Sequence, residues 1–314
     1  MNYYCRAVRT VLFASFLAVS TSHAALTFSF TYTDGAGTGF NDPTQGAARQ
    51  SALQSAANTL GSYFTNTANV TFTVASYSSN DGTLAFAGSS SFGANGFNKT
   101  VVQNKIITGN DVNGGSADGE IHVNLFHDWS FTDSVPNGFF DFKSTAMHEV
   151  MHTLGFSSFI SSTGQGAFNN DSGDPDFWNV FDQFLTNKTG TNLIKPDFSF
   201  DTTQLSTLTG GPNNGVFFSG PNAVSAYGGR VPIYSPISYQ EGSSGSHTDD
   251  EVFTGINQLL MNSTASDGLG IRSLSAVELG MLKDIGYSVV PEPATVGFIA
   301  LIALAFTCWT RRRK

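Results

Sequence analysis

The chain has 314 residues, with 15 Lys and Arg against 24 Asp and Glu and a formal net charge of −9. This length suffices for a sizeable core, and the acidic balance argues against binding to nucleic acid or to an anionic membrane surface. Residues 25–290 alone carry 9 basic and 23 acidic side chains, a net charge of 9 − 23 = −14. Both cysteines, Cys5 and Cys308, lie outside this range, so we expect a domain without disulfides.

The N-terminal segment, residues 1–24, is typical of a secretory signal peptide. Arg6 and Arg9 supply the positive start, residues 11–20 are mainly apolar, and residues 22–24 form a small-x-small cleavage site. We therefore expect export, with 25–290 as the functional domain.

The first part of this domain shows strand and helix periodicities in turn. Alternating apolar residues predict strands, and apolar residues at a period near 3.6 predict an amphipathic helix. The expected elements are a strand at 26–33, a helix at 45–64, strands at 70–77 and 84–88, and a short element at 100–108.

A further strand is predicted at residues 120–131, and it carries His122 and His127. These histidines are five residues apart and would point to opposite faces of the strand, so we leave them out of the candidate site. A strand running past an active-site helix would give an extended substrate an edge with which to pair.

The most informative motif is His148-Glu149-Val150-Met151-His152, an H-E-x-x-H pattern. On a helix, residues four apart lie on one face, so the two imidazoles can reach one metal ion. Glu149 would then hold a water molecule beside that ion. A pair of satisfied core histidines is the alternative interpretation.

The residues around the motif support a helix. Asp141 or Ser144 can cap its start, and Gly155 suits the left-handed turn that ends a helix. The opposite side is apolar and would pack on the core, through Phe142, Ala146, Met147, Val150, Met151 and Leu154.

The second half of the domain has weaker signals. Residues 169–176 are rich in Asn and Asp and could bind calcium, but their spacing does not fit the helix-loop-helix calcium site, which favours a solvated loop. Residues 186–245 are expected to form loops and short strands, and residues 273–285 a closing helix.

A catalytic zinc needs a third protein ligand. The metzincin pattern H-E-x-x-H-x-x-G-x-x-H is matched only as far as Gly155, because Ser158 stands where the last histidine is expected. His247 is the remaining histidine of the domain, and Met261 follows fourteen residues later. The alternative ligands are acidic, as in gluzincins or aspzincins: Asp171, Asp174 or Asp182.

The C-terminus combines Pro291-Glu292-Pro293, uncharged residues 294–310 and a basic end at 311–314. Seventeen residues as a helix span about 25 Å, the short end of what crosses a bilayer. This tail, residues 291–314, resembles the PEP-CTERM sorting signal, which implies a transient transmembrane anchor and processing by an exosortase. A membrane anchor that is never cut is the alternative.

Several motifs together resemble the leishmanolysin-type metzincins, and more closely their bacterial PEP-CTERM relatives. They are the H-E-x-x-H-x-x-G-F run, the Gly-Ser-Ser-x-x-His segment at 242–247, the Leu-Met at 260–261 and the closing Leu-x-Asp-Ile-Gly-Tyr at 282–287. The resemblance implies that His148, His152 and His247 bind zinc, that Glu149 is the general base, and that Met261 forms the methionine turn.

The expected fold is an α/β (α+β) zincin of the metzincin type. A mixed β-sheet and the active-site helix would form one part, and a loop-rich C-terminal part would carry His247, Met261 and the closing helix. The expected function is a zinc endopeptidase acting on polypeptides. Its oxyanion-stabilising side chain stays open among Tyr234, Tyr239 and Tyr287.

Two other classes of function remain possible from the sequence. One is a non-catalytic surface or matrix protein with a structural zinc, which would not need a carboxylate at Glu149. The other is a carbohydrate-binding module, suggested by 28 Phe, 9 Tyr and 3 Trp, although aromatic residues more often fill a core.

Overall fold

The computed structural model of the protein describes residues 26–93, 95–166 and 177–290. The expected signal peptide, the possible calcium-binding run and the sorting tail lie outside these ranges. Asp171 and Asp174 lie outside them as well. Within these ranges, no helix is long and apolar enough to cross a membrane.

The described residues form a mixed α/β structure. The strands, in chain order, are β1 Thr27–Tyr32, β2 Asn69–Tyr77, β3 Ala85–Gly88, β4 Gly96–Asn98, β5 Gly119–Asn124, β6 Trp129–Ser130, β7 Phe140–Asp141, β8 Phe177–Asn179, β9 Leu185–Thr186, β10 Phe217–Phe218 and β11 Val231–Pro232. The α-helices are α1 Gly46–Gly61, α2 Val101–Gln103, α3 Phe142–Thr153, α4 Gly211–Asn214, α5 Pro221–Tyr227 and α6 Ala276–Asp284. A π-helical turn, Asn104–Thr108, continues α2, and 3-10 turns include Val180–Phe184, Thr202–Thr209 and Gly255–Asn257.

The main sheet has four strands in the order β1-β2-β5-β3. β1, β2 and β5 are parallel, and β3 pairs antiparallel with β5 at one edge. One face of the sheet is apolar and buried, with Phe28, Phe72 and Val74 at its centre, and α1 and α3 cover it. The predictions of strands at 26–33, 70–77 and 84–88 and of a helix at 45–64 are confirmed. β1, β3 and α1 are slightly shorter than expected, and β2 begins one residue earlier.

The strand predicted at 120–131 is wrong in its extent. β5 ends at Asn124, because the Asn124 amide nitrogen donates to the carbonyls of Ser79 and Thr83, both at 2.8 Å. The Trp129 indole N–H then donates to the Asn124 carbonyl at 2.8 Å, so the chain turns before β6. β5 is also an interior strand, and the free edge that an extended substrate would use belongs to β3.

Both helices that the sequence placed near the site are present. Asp141 caps α3 by accepting the backbone N–H groups of Lys143 and Ser144, and Arg272 holds its carboxylate through two contacts of 2.7 and 2.8 Å. Ser275 begins α6 with a capping box closed by Glu278. The element expected at 100–108 is α2 with its π-helical turn.

The second half of the chain is built of short elements. β9, β10 and β11 form a small antiparallel sheet, and α5 packs on α6, where Gly280 leaves room for the backbone of Ala223. The apolar side chains of both halves join in one core that runs from Leu26 to Tyr287. Most of the large, fully buried side chains are aromatic, and they include Trp178, Phe40, Phe72, Phe142, Phe156, Phe181 and Phe218.

Candidate metal centre

The H-E-x-x-H segment lies in the last two turns of α3. His148 and His152 share one face of the helix, while Met147, Val150 and Met151 on the other side are buried. The helix then ends because Gly155 adopts φ +82°, a left-handed conformation that a residue with a Cβ rarely takes. A Cβ at this position would also collide with the Gln103 side chain.

His247 lies on a loop distant in sequence and completes a cluster of three imidazoles. The Nε2 atom of His148 lies 3.1 Å from those of His152 and His247, and the latter two are 3.2 Å apart. Among the described residues, these three form the group of histidine and acidic side chains close enough to hold a metal ion.

The opposite nitrogen of each ring fixes its tautomer. The Nδ1 atoms of His148, His152 and His247 lie 2.8, 2.8 and 2.9 Å from the backbone carbonyls of Leu260, Phe156 and Ser243. A carbonyl oxygen only accepts, so each Nδ1 carries the proton of the neutral ring and each Nε2 presents a lone pair. Three lone pairs meeting at one point repel each other unless a cation lies between them. The donor set therefore fits a metal ion.

Burial keeps these rings uncharged. Desolvation lowers the pKa of His148, and it lowers the pKa of His152 to about 3 with a further contribution from the nearby His148. The pKa of His247 is also far below its ordinary value, for the same two kinds of reason. Neutral imidazole is the form that binds a metal.

Glu149 lies beside the cluster and is only 6% exposed. Its carboxylate accepts the backbone N–H of Ala87 on the edge strand β3, which lowers its pKa. Burial outweighs that bond and raises the pKa to about 8. Glu149 is therefore a buried carboxyl group with a raised pKa, next in sequence to one of three histidines that could hold a metal ion.

Met261 lies in a tight turn whose backbone is bonded to His148 and to the neighbour of His247. The turn is closed by a bond of 3.4 Å from the Asn262 N–H to the Leu259 carbonyl, and Met261 is fully buried. It connects two histidines of the cluster, because the Leu260 carbonyl holds His148 and the Met261 carbonyl accepts the N–H of Thr248, next to His247, at 2.8 Å.

Ser158 occupies the position of the last histidine in the metzincin pattern, and its side chain makes a supporting contact instead. Its Oγ donates to Asp182 at 2.6 Å, and its N–H donates to the Ser246 Oγ at 3.0 Å. Asp182 also accepts the N–H groups of Phe159 and Asn179, at 3.1 and 2.9 Å. Asp182 therefore braces the loop after α3 against its own segment, while Ser158 joins that loop to the loop of His247 through Ser246. Asp182 is not part of the histidine cluster.

The remaining candidates from the sequence fall outside the cluster. His122 stacks on Phe86, and the His127 Nε2 lies 3.2 Å from the Thr83 carbonyl. The Tyr287 hydroxyl donates to the Leu154 carbonyl at 2.8 Å, and that of Tyr239 donates to the Ile160 carbonyl at 2.6 Å.

Tyr234 is the third of the tyrosines left open. It is tied to the site through its backbone, because its N–H donates to the His247 carbonyl at 2.8 Å. Tyr287 and Tyr239 support the fold through their bonds to backbone carbonyls. Tyr234 is the remaining candidate for an oxyanion donor.

Glu278 is a supporting residue that the sequence did not single out. It is fully buried, and its Oε1 accepts the N–H of Met261 at 2.9 Å. Its Oε2 accepts the N–H and the hydroxyl of Ser275, both at 2.8 Å. The Ser-x-x-Glu spacing would have indicated the capping box, but nothing local indicates the bond to Met261.

Comparison with known proteins does not assign the chain to a family. No protein-family model matches the chain, and no curated protein sequence is similar to it.

Proposed function

We propose that the protein is an exported zinc endopeptidase with the metzincin type of fold. The observation that carries the proposal is the joint presence of three converging Nε2 lone pairs and a buried carboxyl group, Glu149, beside them. A tetrahedral zinc with Zn–N bonds of about 2.0–2.1 Å spaces its ligand nitrogens by about 3.3 Å. The observed spacings of 3.1 and 3.2 Å suit an ion of this size.

His148, His152 and His247 would hold the ion, and three protein ligands leave a position open for water or substrate. Bound there, zinc would make that water more acidic and polarise the carbonyl of the peptide bond. Glu149 would take the water's proton on its carboxylate and pass it to the leaving amine. The N–H of Ala87 orients the Glu149 carboxylate from the edge strand.

An extended polypeptide would bind along β3, whose free edge adjoins Glu149. The acidic charge of residues 25–290 disfavours nucleic acid as a partner. The expected signal peptide and sorting tail support export, an exosortase as a processing partner, and membrane contact through the tail alone.

The test uses the protein loaded with zinc and an unfolded protein substrate, with cleavage followed by mass spectrometry. Glu149→Gln keeps the shape of the side chain but cannot accept the proton, so peptide hydrolysis should fall by at least about a hundredfold while bound zinc is unchanged. Glu120→Gln is the matched control, because Glu120 is an exposed acid on the outer face of the sheet.

A chelator should abolish the wild-type activity, and added zinc should restore it. Wild-type protein that contains zinc and cleaves no peptide of a broad library would favour a structural zinc site. Equal rates for Glu149→Gln and the wild type would contradict the mechanism.

A further inference from the structure

The free edge of β3 presents a defined set of backbone groups. Asn124 of β5 donates its N–H to the Leu84 carbonyl at 2.9 Å, and Phe86 is the partner of His122 in the same register. In an antiparallel pair the bonding direction alternates, so Ala85 and Ala87 turn their N–H and C=O groups away from β5. The Ala87 N–H is bonded to Glu149, which agrees with this direction and brings the edge to the proposed general base. The Ala87 C=O and both groups of Ala85 are left to pair with another strand.

The side chain of Phe86 lies on the outer face of the sheet, the opposite face from α3. Its ring stacks on that of His122, with a centroid distance of 4.6 Å and an interplanar angle of 10°. This distance is close to the spacing of about 4.7–4.9 Å between neighbouring strands. The two rings therefore form consecutive rungs of a ladder that runs across the sheet.

The ladder is open on one side. His122 covers one face of the Phe86 ring. The Tyr77 ring also packs on the Phe86 ring, with a centroid distance of 5.8 Å and an interplanar angle of 46°. Phe86 is nevertheless 49% exposed. Because the stack is nearly parallel, the face turned away from His122 points past β3, towards the position of the next strand. In the ranges that the structure describes, no strand occupies that position.

We propose that Phe86 is the floor of a substrate subsite that binds one aromatic or large aliphatic side chain. The inference rests on the proposed function, because the next strand is the peptide substrate itself. In a peptide paired with β3, the residue opposite Phe86 directs its side chain to the outer face and supplies the third rung. Its two neighbours, opposite Ala85 and Ala87, point inward to the metal centre. The selection therefore acts at one position of the substrate.

The first experiment compares cleavage profiles over a peptide library. The zinc-loaded wild type should prefer Phe, Tyr, Trp, Leu or Met at one position relative to the cut bond. Phe86→Thr keeps strand propensity but removes the ring, so kcat/KM for a peptide with Phe at that position should fall by about two- to tenfold. For the twin peptide with Gly at that position, kcat/KM should not change.

Two variants serve as controls. Phe86→Tyr retains the ring and should retain the preference. Ile256→Thr removes a fully exposed apolar side chain from the 3-10 turn Gly255–Asn257, away from the sheet, and should leave the profile of the wild type. A wild type that cleaves with no preference at any position, or a Phe86→Thr protein with an unchanged profile, would overturn the proposal.

A second experiment separates this proposal from the proposed function. The zinc-loaded Glu149→Gln protein binds peptides without cutting them, and fluorescence anisotropy with the labelled Phe and Gly twin peptides measures their Kd. The Phe peptide should bind about two- to tenfold more tightly, and adding Phe86→Thr should remove the difference. If the Phe peptide binds more tightly but the wild type cleaves no peptide, the proposed peptidase function is contradicted and the subsite is not. Equal affinities for the twin peptides would contradict the subsite, whatever the wild type cleaves.

Discussion

A backbone carbonyl fixes the orientation of every imidazole in the cluster. Leu260, Phe156 and Ser243 supply these carbonyls, and each belongs to a turn or loop that is itself hydrogen-bonded. The ligands are consequently oriented before any ion arrives, and little side-chain entropy is left to lose on binding.

The role of His247 can be tested by removing its ring. His247→Ala leaves two ligands on α3, and a two-histidine site is too weak to retain metal at ordinary concentrations. We expect a folded protein that has lost most of its zinc, as measured by mass spectrometry of metal content after dialysis. The apolar packing of α3 does not depend on this loop residue, so far-ultraviolet circular dichroism should be unchanged.

Two variants distinguish the third ligand from its neighbours. His127→Ala removes an imidazole outside the cluster and should keep stoichiometric zinc. Asp182→Asn removes the acidic alternative and should also keep it, because Asp182 bonds to Ser158 and to backbone N–H groups. Zinc retained in His247→Ala and lost in Asp182→Asn would reverse the assignment.

The predictability of these residues depends on how local their signals are. His148, Glu149 and His152 follow from a helical period within one turn, which the sequence displays directly. His247 lies 95 residues beyond His152, and only the scarcity of histidine and a family resemblance indicated it. The pairing of Ser158 with Asp182 depends on two side chains meeting across loops, and no periodic pattern records such a contact.

At the scale of elements, the turn at Met261 joins α6 to α3. Glu278 on α6 accepts the Met261 N–H, and the Leu260 carbonyl of the same turn orients His148. The Thr248 hydroxyl adds a bond of 2.9 Å to the Asn262 side chain. The closing helix thus supports two of the three clustered histidines without contacting the cluster through its own side chains.

Glu278→Gln should therefore weaken metal binding from a distance. The amide keeps one acceptor oxygen but presents an NH₂ group to donors, which costs about 1–3 kcal/mol of folding stability at a buried site. Zinc affinity, measured by competition with a chelating dye, should fall by about tenfold. The visible spectrum of the cobalt-substituted protein should also change, because His148 shifts.

Glu251→Gln is the matched control, since Glu251 is an exposed acid in the loop after His247. It should change neither the affinity nor the spectrum. If Glu278→Gln lowers stability alone and leaves both metal readouts unchanged, Glu278 supports the helix but does not position the ligand.

The elements of the sheet were predictable because their alternation reflects burial on one face. Which strand lies at the edge was not predictable, because strand order depends on crossovers that a period of two does not encode. The early end of β5 has a similar cause. The Asn124 side chain is bonded to the carbonyls of Ser79 and Thr83, which lie 45 and 41 residues away in the sequence.

At the scale of the whole molecule, one hydrophobic core stabilises the fold, whereas the buried histidine cluster destabilises it at acidic pH when no metal is bound. Burial lowers the pKa of all three histidines, that of His152 to about 3. In the unfolded chain, histidine titrates near 6.5. As the pH falls below about 6.5, the histidines are protonated in the unfolded chain but stay neutral in the folded protein. The free energy of unfolding therefore falls.

The zinc-free protein should show this dependence in chemical denaturation between pH 7 and pH 5. Each buried histidine contributes a slope of up to about 1.4 kcal/mol per pH unit below 6.5. Glu149 acts in the opposite direction, because burial raises its pKa to about 8. The difference between the wild type and His152→Ala therefore isolates one ring, and the variant should lose less stability on acidification. Parallel curves for the two proteins would contradict the prediction.

The last described residues are bonded to the segment between α1 and β2. The Val290 N–H donates to the Tyr63 carbonyl at 2.8 Å, and the Thr65 N–H donates to the Ser288 carbonyl at 2.9 Å. Any pulling force applied beyond residue 290 therefore loads these two bonds and the segment between α1 and β2 first. The force reaches α6 and the turn at Met261 only after these contacts have broken, so they shield the histidine cluster from a force applied at the C-terminal side of the domain.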